Sequence, residues 1–404
     1  MKRRLNYGRL AILIVALLIV ITLLFFLGRA VLAWLGGGGQ SSAEPTSGVS
    51  TAPVPASSGG SDASSGMSTE PTSGDSSAEA STEAPSDNSK NQTVAGLDLD
   101  AQKAQIDVKT IRPNEAGEIM IIMYHGLADE NSEYHRTKES FRADLQRLWE
   151  MGFRTVSMAD YIESRFDVPA GTTPVLITID DGLESTFRMI PGQDGKPMVD
   201  PDSMIGIMDD FASKHPEFGR HAILYLNGGS PFGQPEYVEQ KLKYLADNGY
   251  EIGNHSSGHE NLSTLDAAGV QRVLGGNVNY YEGLTGVRMD SLALPFGIFP
   301  TDANASYATK GTYEGKEYHH RAVLMVGWRP GWALYHVNSD PEALYRVQSG
   351  DGDLQLKTWL DQYEADPSLR FISDGFADVI TVPESERSKI APSAVDEKRL
   401  NFYE

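Results

Sequence analysis

Apolar and polar positions divide the chain into three stretches of different character. Residues 10–27 form an apolar run in which Thr22 is the single polar residue. Residues 36–96 contain no Leu, Ile, Phe, Tyr or Trp. From about Leu97 onward, apolar runs alternate with amphipathic stretches. This pattern predicts a membrane segment, a disordered linker that cannot bury enough apolar surface to fold, and a globular domain.

Within the third stretch, short apolar runs predict strands, and apolar positions at helical spacing predict helices. The helical pattern is clearest at residues 141–148 and at residues 238–245, where Gly249 is expected to end the helix. The predicted strands are residues 118–124, 174–180, 221–226, 292–296, 322–327, 345–348 and 370–373. Alternating strands and helices predict an α/β fold with a mainly parallel sheet, either a barrel or a doubly wound sheet.

The N-terminal apolar run is long enough to cross a membrane, because 18 residues at about 1.5 Å rise each span roughly 27 Å. Four basic residues and no acidic residue precede it, which predicts a cytoplasmic N-terminus and an extracytoplasmic domain at the cell membrane. A cleaved signal peptide, with Val31 and Ala33 before the cleavage point, is the alternative. We favour an anchor, and divide the chain into a cytoplasmic tail 1–9, an anchor 10–35, a linker 36–96, a domain 97–380 and a C-terminal tail 381–404.

Composition narrows the chemistry. The 404 residues include no cysteine, so a thiolate metal site and a cysteine nucleophile are excluded. Any metal ligands must therefore be His, Asp or Glu. The formal net charge of -21 argues against nucleic acid as a partner, because phosphate binding requires clustered basic residues.

Two short motifs carry candidate chemistry. Asp180 and Asp181 follow a predicted buried strand and precede a glycine, so one carboxylate could hold a metal while the other acts as a base. Alone, this sequence is more typical of a turn. His255 and His259 are four residues apart, a spacing that places two imidazoles on one face of a helical turn, although Gly258 disfavours a regular helix. Together the motifs predict a three-ligand metal site with positions left for water and substrate.

These motifs resemble those of the polysaccharide deacetylase family, also called the NodB homology domain or carbohydrate esterase family 4, over about residues 119–374. The resemblance implies a distorted (β/α) barrel of the NodB type. It implies that Asp180 is the general base and that Asp181, His255 and His259 hold zinc, cobalt or another divalent ion. Residues 293–297 resemble a third motif, in which the Phe296 backbone N–H, between Pro295 and Gly297, helps to bind the oxyanion and the substrate.

The chain departs from this family at two positions. Ala293 stands where relatives carry an arginine that orients the base, and Arg329 or Arg346 could replace that arginine from another strand. Asp374 stands where relatives carry the histidine that acts as general acid, so Asp374 is the candidate catalytic acid, with a strand-end cap as the alternative. His125 is a further candidate acid and substrate-contacting residue, with a satisfied buried histidine as its alternative.

The resulting functional hypothesis is a metal-dependent hydrolase that removes N-acetyl groups from an extracytoplasmic polysaccharide. Peptidoglycan is favoured because the anchor and linker would hold the domain near the cell envelope. Two alternatives stay open: an O-acetyl esterase of the xylan type, and a catalytically inactive glycan-binding receptor that retains its metal. Trp328, Trp332 and Tyr335 could form a sugar-stacking wall or pack in the core.

Overall fold

The computed structural model describes residues 98–404. The predicted cytoplasmic tail, anchor and linker lie outside these residues. Among the helices of residues 98–404, none is both long and apolar enough to span a bilayer. The anchor at residues 10–35 therefore stays a prediction.

Eight α-helices are distributed along the described residues. They are α1 (Leu99–Lys103), α2 (Lys138–Glu150), α3 (Met158–Glu163), α4 (Met204–Lys214), α5 (Val238–Asp247), α6 (Ala267–Thr285), α7 (Ser306–Thr309) and α8 (Leu356–Ala365). Both predicted helices are present, as α2 and α5. Helix α2 begins where the Thr137 side chain accepts a hydrogen bond from the Ser140 backbone N–H, a typical N-cap. It buries Phe141, Leu145 and Leu148 on one face.

The strands alternate with these helices. They are β1 (Met120–Tyr124), β2 (Gly126–Leu127), β3 (His135–Arg136), β4 (Phe153–Thr155), β5 (Thr173–Ile179), β6 (Met189–Pro191), β7 (Pro197–Val199), β8 (Ile223–Leu226), β9 (Glu251–Asn254), β10 (Ser291–Ala293), β11 (Lys310–Tyr313), β12 (Lys316–His319), β13 (Ala322–Leu324), β14 (Val347–Gln348), β15 (Ile380–Pro383) and β16 (Leu400–Tyr403).

Eight of these strands form one parallel sheet in the order β13-β10-β9-β8-β5-β1-β14, with β4 paired to the start of β5. Leu344, just before β14, forms a parallel bridge with Leu324 at the end of β13. The segment leading into β14 thereby connects the two edges of the sheet. The predicted α/β class with a parallel sheet is confirmed, and its arrangement fits the expected distorted (β/α) barrel.

The sheet is buried on both faces, as strands of parallel sheets usually are. In β1, Met120, Ile122 and Tyr124 belong to the core cluster that also contains the apolar faces of α2 and α5. Ile121 belongs to a second cluster on the opposite face, together with Tyr225 of β8. The register aligns the carboxyl ends of the central strands, with Tyr124 beside Ile179 and Leu226 beside Asn254. Residues that follow these strands therefore meet at one edge.

Two segments differ from the prediction. Residues 370–373 were expected to be a strand of the sheet, but they form only isolated bridges, of which one joins Arg370 to Glu118 just before β1. Residues 381–404 were expected to be a tail, but Thr381 exchanges hydrogen bonds with Glu115, Ile390 forms a bridge with His336, and the Tyr403 hydroxyl donates to the Pro113 carbonyl at 3.0 Å. Residues 381–404 thus pack on the domain through backbone pairing, which an apolar-periodicity analysis does not detect.

Candidate active site

Two carboxylates lie at the carboxyl end of β5. The Asp180 backbone N–H donates to the Tyr124 carbonyl at 2.9 Å, which continues the pairing with β1. Asp181 and Gly182 then adopt positive φ values of 73° and 63°, and the chain turns. Asp180 is 1% exposed, whereas the Asp181 side chain is 27% exposed. The turn therefore places adjacent carboxylates in one pocket but in different environments.

His255 follows β9 and is held in one orientation. Its Nδ1 lies 2.7 Å from the Ala293 carbonyl oxygen, which can only accept, so Nδ1 carries the proton and neutral His255 has its lone pair on Nε2. This Nε2 is buried, has no hydrogen-bond partner among the described residues, and lies 3.4 Å from Asp181 Oδ1. A buried unpaired nitrogen aimed at a carboxylate is the arrangement expected of a metal ligand.

His259 reaches the same point through a turn rather than the helical turn that its spacing predicted. Ser256 and His259 have positive φ values of 62° and 56°, which no regular helix contains. Glu260 fixes this turn, because its Oε2 accepts hydrogen bonds from Ser256 Oγ at 2.6 Å and from the Gly258 backbone N–H at 3.0 Å. His259 Nε2 lies 3.6 Å from Asp181 Oδ1.

The three predicted ligands converge. One ligand atom from each of Asp181, His255 and His259 lies within 4.8 Å of the others. A carboxylate oxygen and two imidazole nitrogens form a donor set that zinc accepts, with coordination positions left over. The strained backbone at Asp181 and His259 fits this interpretation, since such residues concentrate at functional sites. The residues present therefore fit a divalent ion.

The arginine missing at position 293 is replaced from another strand. Arg346, just before β14, is fully buried, and its Nη1 and Nη2 each donate a hydrogen bond of 2.8 Å to one Asp180 oxygen. Its Nε donates to the Met325 carbonyl at 2.9 Å, which fixes the guanidinium plane. Of the two replacements open from sequence, the structure selects Arg346. Arg329 lies elsewhere, over the rings of Trp332 and Tyr345.

The electrostatics of the two carboxylates follow from these contacts. Burial acts to raise the pKa of Asp180, but Arg346 and then His255 outweigh burial and hold the pKa at about 2. Burial likewise acts to raise the pKa of Asp181, but the nearby His255 imidazole and then His125 together outweigh burial, so this pKa is also below its usual range. Both groups are therefore carboxylates at neutral pH.

A comparison with known families agrees with this geometry. Residues 216–314 match the family model described as polysaccharide deacetylase. The matched residues include His255, His259 and Phe296, and begin downstream of the Asp180 and Asp181 turn, which lies outside the match. The resemblance to the polysaccharide deacetylase family is thus confirmed.

Three individual proteins to which the chain is similar are as follows. The chain is 21% identical over 221 residues to YxkH of Bacillus subtilis (strain 168), a polysaccharide deacetylase by name, covering 54% of this chain and 71% of that protein. It also aligns with the deacetylase PplD of Streptococcus pyogenes in complex with acetate, at 15% identity and a TM-score of 0.44, covering 57% of this chain and 92% of the other. A polysaccharide deacetylase from Bacillus cereus aligns at 14% identity and a TM-score of 0.45, covering 60% and 69%.

The prediction that Asp374 is the catalytic acid is wrong. The neighbouring Ser373 donates its backbone N–H to the Thr172 carbonyl, just before β5 begins, whereas Asp180 follows the end of that strand. Seven residues of strand separate the two ends by roughly 23 Å at about 3.3 Å per residue. Asp374 instead caps a turn, accepting hydrogen bonds from the Phe376 backbone N–H at 2.7 Å and from Thr381 Oγ1 at 2.6 Å. This is the strand-end cap that was the alternative.

His125, the other candidate acid of a deacetylase reaction, lies at the site. It follows β1 directly, next to the β5 end that carries Asp180. Its Nδ1 is buried without a hydrogen-bond partner among residues 98–404, and its ring packs edge-on against Tyr134 with centroids 5.0 Å apart. Burial lowers its pKa, and the Asp180 and Asp181 carboxylates counteract part of that effect. His125 is therefore not the satisfied buried histidine of the alternative interpretation.

The third motif forms the outer side of the site. Phe296 follows β10, has a φ of 59°, and is 57% exposed. Its ring packs edge-on against the His259 imidazole with centroids 4.4 Å apart. Gly297 allows the close approach of the next strand, since a Cβ at this position would lie 2.8 Å from the Val326 backbone nitrogen. The turn begun by Pro295 thus holds an exposed aromatic ring beside the predicted metal ligands.

Proposed function

We propose that this chain is a metal-dependent hydrolase that removes N-acetyl groups from an extracytoplasmic polysaccharide, with peptidoglycan as the favoured substrate. The observation that carries the proposal is the convergence of Asp181, His255 and His259 beside the ionised Asp180. A carboxylate and two imidazoles supply the ligands, and a second carboxylate stays free of them. Deacetylation of a glycan requires both parts, and the family resemblance supplies the substrate class.

Asp181 Oδ1 and the Nε2 atoms of His255 and His259 would hold the ion. A divalent ion held there supplies Lewis-acid polarisation of the acetyl carbonyl and lowers the pKa of water. The Ala293 carbonyl keeps His255 in the tautomer that binds a metal, and Glu260 holds the turn that presents His259. The donor set alone does not distinguish zinc from cobalt or another divalent ion.

Asp180 accepts the proton of the attacking water. With a pKa of about 2 it is ionised throughout the physiological range, so the acceptor is always present. The same low pKa limits its strength as a base. Arg346 fixes both carboxylate oxygens, so the proton transfer occurs in one defined geometry rather than after a search over rotamers.

His125, in its protonated form, donates a proton to the departing sugar amine and becomes the neutral imidazole. It stands at the same edge of the sheet as Asp180, on the adjacent strand, and has an unpaired buried nitrogen. The exposed face of Phe296 provides a flat apolar surface beside the metal ligands on which a sugar ring can rest. These two residues extend the site toward the leaving group and the glycan chain, respectively.

The inactive-receptor hypothesis rested on the missing arginine and histidine. Arg346 against Asp180 and His125 at the same sheet edge offer candidates for both missing roles, which supports the enzyme over the receptor. The choice between an N-acetyl and an O-acetyl group rests on the family resemblance. The extracytoplasmic location rests on the predicted anchor at residues 10–35.

The test is acetate release from N-acetylated and O-acetylated glycans by the purified full-length chain, with and without a chelator. We expect release from the N-acetylated glycan, loss with chelator, and recovery on adding zinc or cobalt. Asp180→Asn should abolish release while the bound metal measured by elemental analysis is unchanged. Asp302→Asn, an exposed carboxylate outside the site, is the matched control. Release that persists in a metal-free protein, or in Asp180→Asn, would refute the proposal.

A further inference from the structure

Arg329 is held by aromatic rings and forms no ion pair with the described residues, although its charge acts at longer range to lower the pKa of Glu118. Its guanidinium lies over the Tyr345 ring at 4.2 Å and over the Trp332 ring at 5.2 Å, so aromatic rings hold it in place. The Trp332 ring is itself stacked on His336, with centroids 4.8 Å apart and planes at 7°. Within residues 98–404, Arg329 forms no ion pair and donates no hydrogen bond to a side chain or carbonyl. A guanidinium that is fixed in place and whose N–H groups have no acceptor is preorganised to bind an anion.

Arg329 lines a pocket of about 230 Å³. Polar groups from a following loop complete its wall, among them Asn338, Ser339 and Asp340. Asp340 already accepts the Glu342 backbone N–H through Oδ1 at 2.9 Å. The volume suits one monosaccharide rather than an extended ligand, since sites for drug-sized molecules run from about 300 Å³ upward.

This pocket is separate from the candidate active site. Gly331, in its wall, exchanges backbone hydrogen bonds with Ile119, the residue before β1 begins. His125 and the metal ligands follow the carboxyl ends of β1 and its neighbours instead. Tyr335, the third member of the expected sugar-stacking wall, does not take part, because it is 1% exposed and donates its hydroxyl to the Glu115 carbonyl.

We propose that this pocket binds a sugar ring that bears a carboxylate. The guanidinium of Arg329 requires an anionic acceptor with a planar pair of oxygens, which a carboxylate provides. Asp340 in the same wall repels a bare anion but accepts a hydrogen bond from a hydroxyl. An acidic sugar carries both groups on one ring. A neutral sugar offers no carboxylate to Arg329. A simple carboxylate offers no hydroxyl that could donate a hydrogen bond to Asp340.

The choice of a sugar rests on the proposed function, whereas the requirement for an anion rests on Arg329 alone. Binding at this pocket would hold an acidic glycan chain at a second point while the acetylated unit occupies the metal site. The two ideas fail separately, because ligand binding here is measured without acetate release.

The test is ligand-observed saturation-transfer NMR on the full-length chain, with N-acetylmuramic acid and glucuronate as probes. N-Acetylglucosamine serves as the neutral comparison and lactate as the bare carboxylate. We expect saturable binding of both acidic sugars at a Kd on the order of 1 mM, at least tenfold tighter than either comparison ligand. Raising the salt concentration should weaken it.

Arg329→Gln should weaken binding of the acidic sugars by about tenfold or more. Arg329→Lys should weaken it by less, because lysine keeps the positive charge but lacks the two parallel N–H donors of the guanidinium. Arg142→Gln, at a half-exposed arginine elsewhere, is the matched control and should change nothing. Circular dichroism checks that each variant is folded. Equal affinity for lactate and glucuronate overturns the sugar part of the proposal, and binding unaffected in both Arg329 variants overturns the site.

Discussion

Arg346 and Asp180 form a buried bidentate ion pair between neighbouring regions of the sheet. Each of two guanidinium nitrogens donates at 2.8 Å to one carboxylate oxygen, and both side chains are at most 2% exposed. Arg346 also donates through Nη1 to Thr178 Oγ1 at 3.2 Å. The pair thus joins the segment before β14 to the end of β5, and sets the position of the proposed base.

Removing Arg346 should cost stability as well as activity. In Arg346→Met, Asp180 stays buried without a partner, and breaking a buried pair costs about 3–5 kcal/mol. The double variant Asp180→Asn with Arg346→Met should be more stable than Arg346→Met alone, because no buried charge is left uncompensated. Urea unfolding in the presence of chelator measures the stability of the single and of the double variant.

The control for this prediction is Arg142→Met, which breaks a half-exposed pair with Asp202 and should cost at most about 1 kcal/mol. A loss of similar size in Arg346→Met and Arg142→Met would show that the buried pair contributes nothing special. A double variant less stable than Arg346→Met would show that the methionine itself disturbs the packing.

Sequence was sufficient for the parts of the site that follow strands directly. Asp181, His255 and the Phe296 turn occur where apolar runs end. The hydrophobic pattern that predicts the strands, together with the turn-forming residues after them, therefore predicted their positions. The partner of Asp180 was not fixed, because Arg346 is 166 residues away in the chain and only the sheet order brings it close. Two candidates stayed equal until the strand pairing was known.

Asp374 shows the opposite case. Its segment reads as an apolar strand followed by an acid, the same signal as at Asp180, yet it runs along the amino end of the sheet. The hydrophobic pattern of a short apolar run does not determine the direction in which the run pairs, or the end of the sheet at which it lies. Glu260 was missed for a different reason. Its role depends on the positive φ values of Ser256 and His259, and neither residue type predicts a positive φ.

Glu260 should act on metal affinity without being a ligand. Glu260→Gln replaces the charged acceptor of two hydrogen bonds, and the turn that presents His259 loosens. Outer contacts of this kind change metal affinity by about 10–100-fold, so we expect at least a tenfold weaker zinc Kd in a competition titration with a chelating dye. Glu239→Gln, on the exposed side of α5, is the control. An unchanged Kd would mean that the turn keeps its shape without Glu260.

Metal binding should stabilise the folded chain. A ligand that binds the native state alone adds about 2.7 kcal/mol at one hundred times its Kd, so zinc should raise the Tm, and a chelator should reverse the rise. His259→Ala should reduce the zinc-dependent shift, whereas the exposed His319→Ala should keep it. Differential scanning fluorimetry provides the measurement. A shift that survives in His259→Ala would assign the stabilising ion to other residues.

His125 should affect turnover rather than metal content. His125→Asn removes the proposed proton donor, and general acid catalysis contributes typically about 10²–10⁴-fold, so acetate release should fall by that order. Zinc content should be unchanged, because Asp181, His255 and His259 remain. His319→Asn is the matched substitution at an exposed position. Full activity in His125→Asn would return the identity of the acid to an open question.

Asp374 should influence how stability depends on pH. Burial raises its pKa to about 6, although the hydrogen bonds from Thr381 and Phe376 counteract part of the shift. Its backbone N–H donates to Glu115, whose pKa burial and then Asp374 also raise. The folded state therefore binds the Asp374 proton more tightly than the unfolded state does, from a model value of 3.8.

Because the folded state holds the extra proton, the contribution of Asp374 to the free energy of unfolding should fall as pH rises from about 4 to about 6, whereas the lowered pKa values of His320 and His336 act in the opposite direction. For Asp374 the fall is at most about 3 kcal/mol, since each pKa unit corresponds to about 1.36 kcal/mol. Asp374→Asn has no proton to lose, so the stability of this variant relative to the unaltered chain should increase as pH rises over this range. Urea unfolding at a series of pH values measures the difference, with Asp302→Asn as control. Parallel curves for the Asp374 variant and the unaltered chain would place the ionisation of Asp374 outside this window.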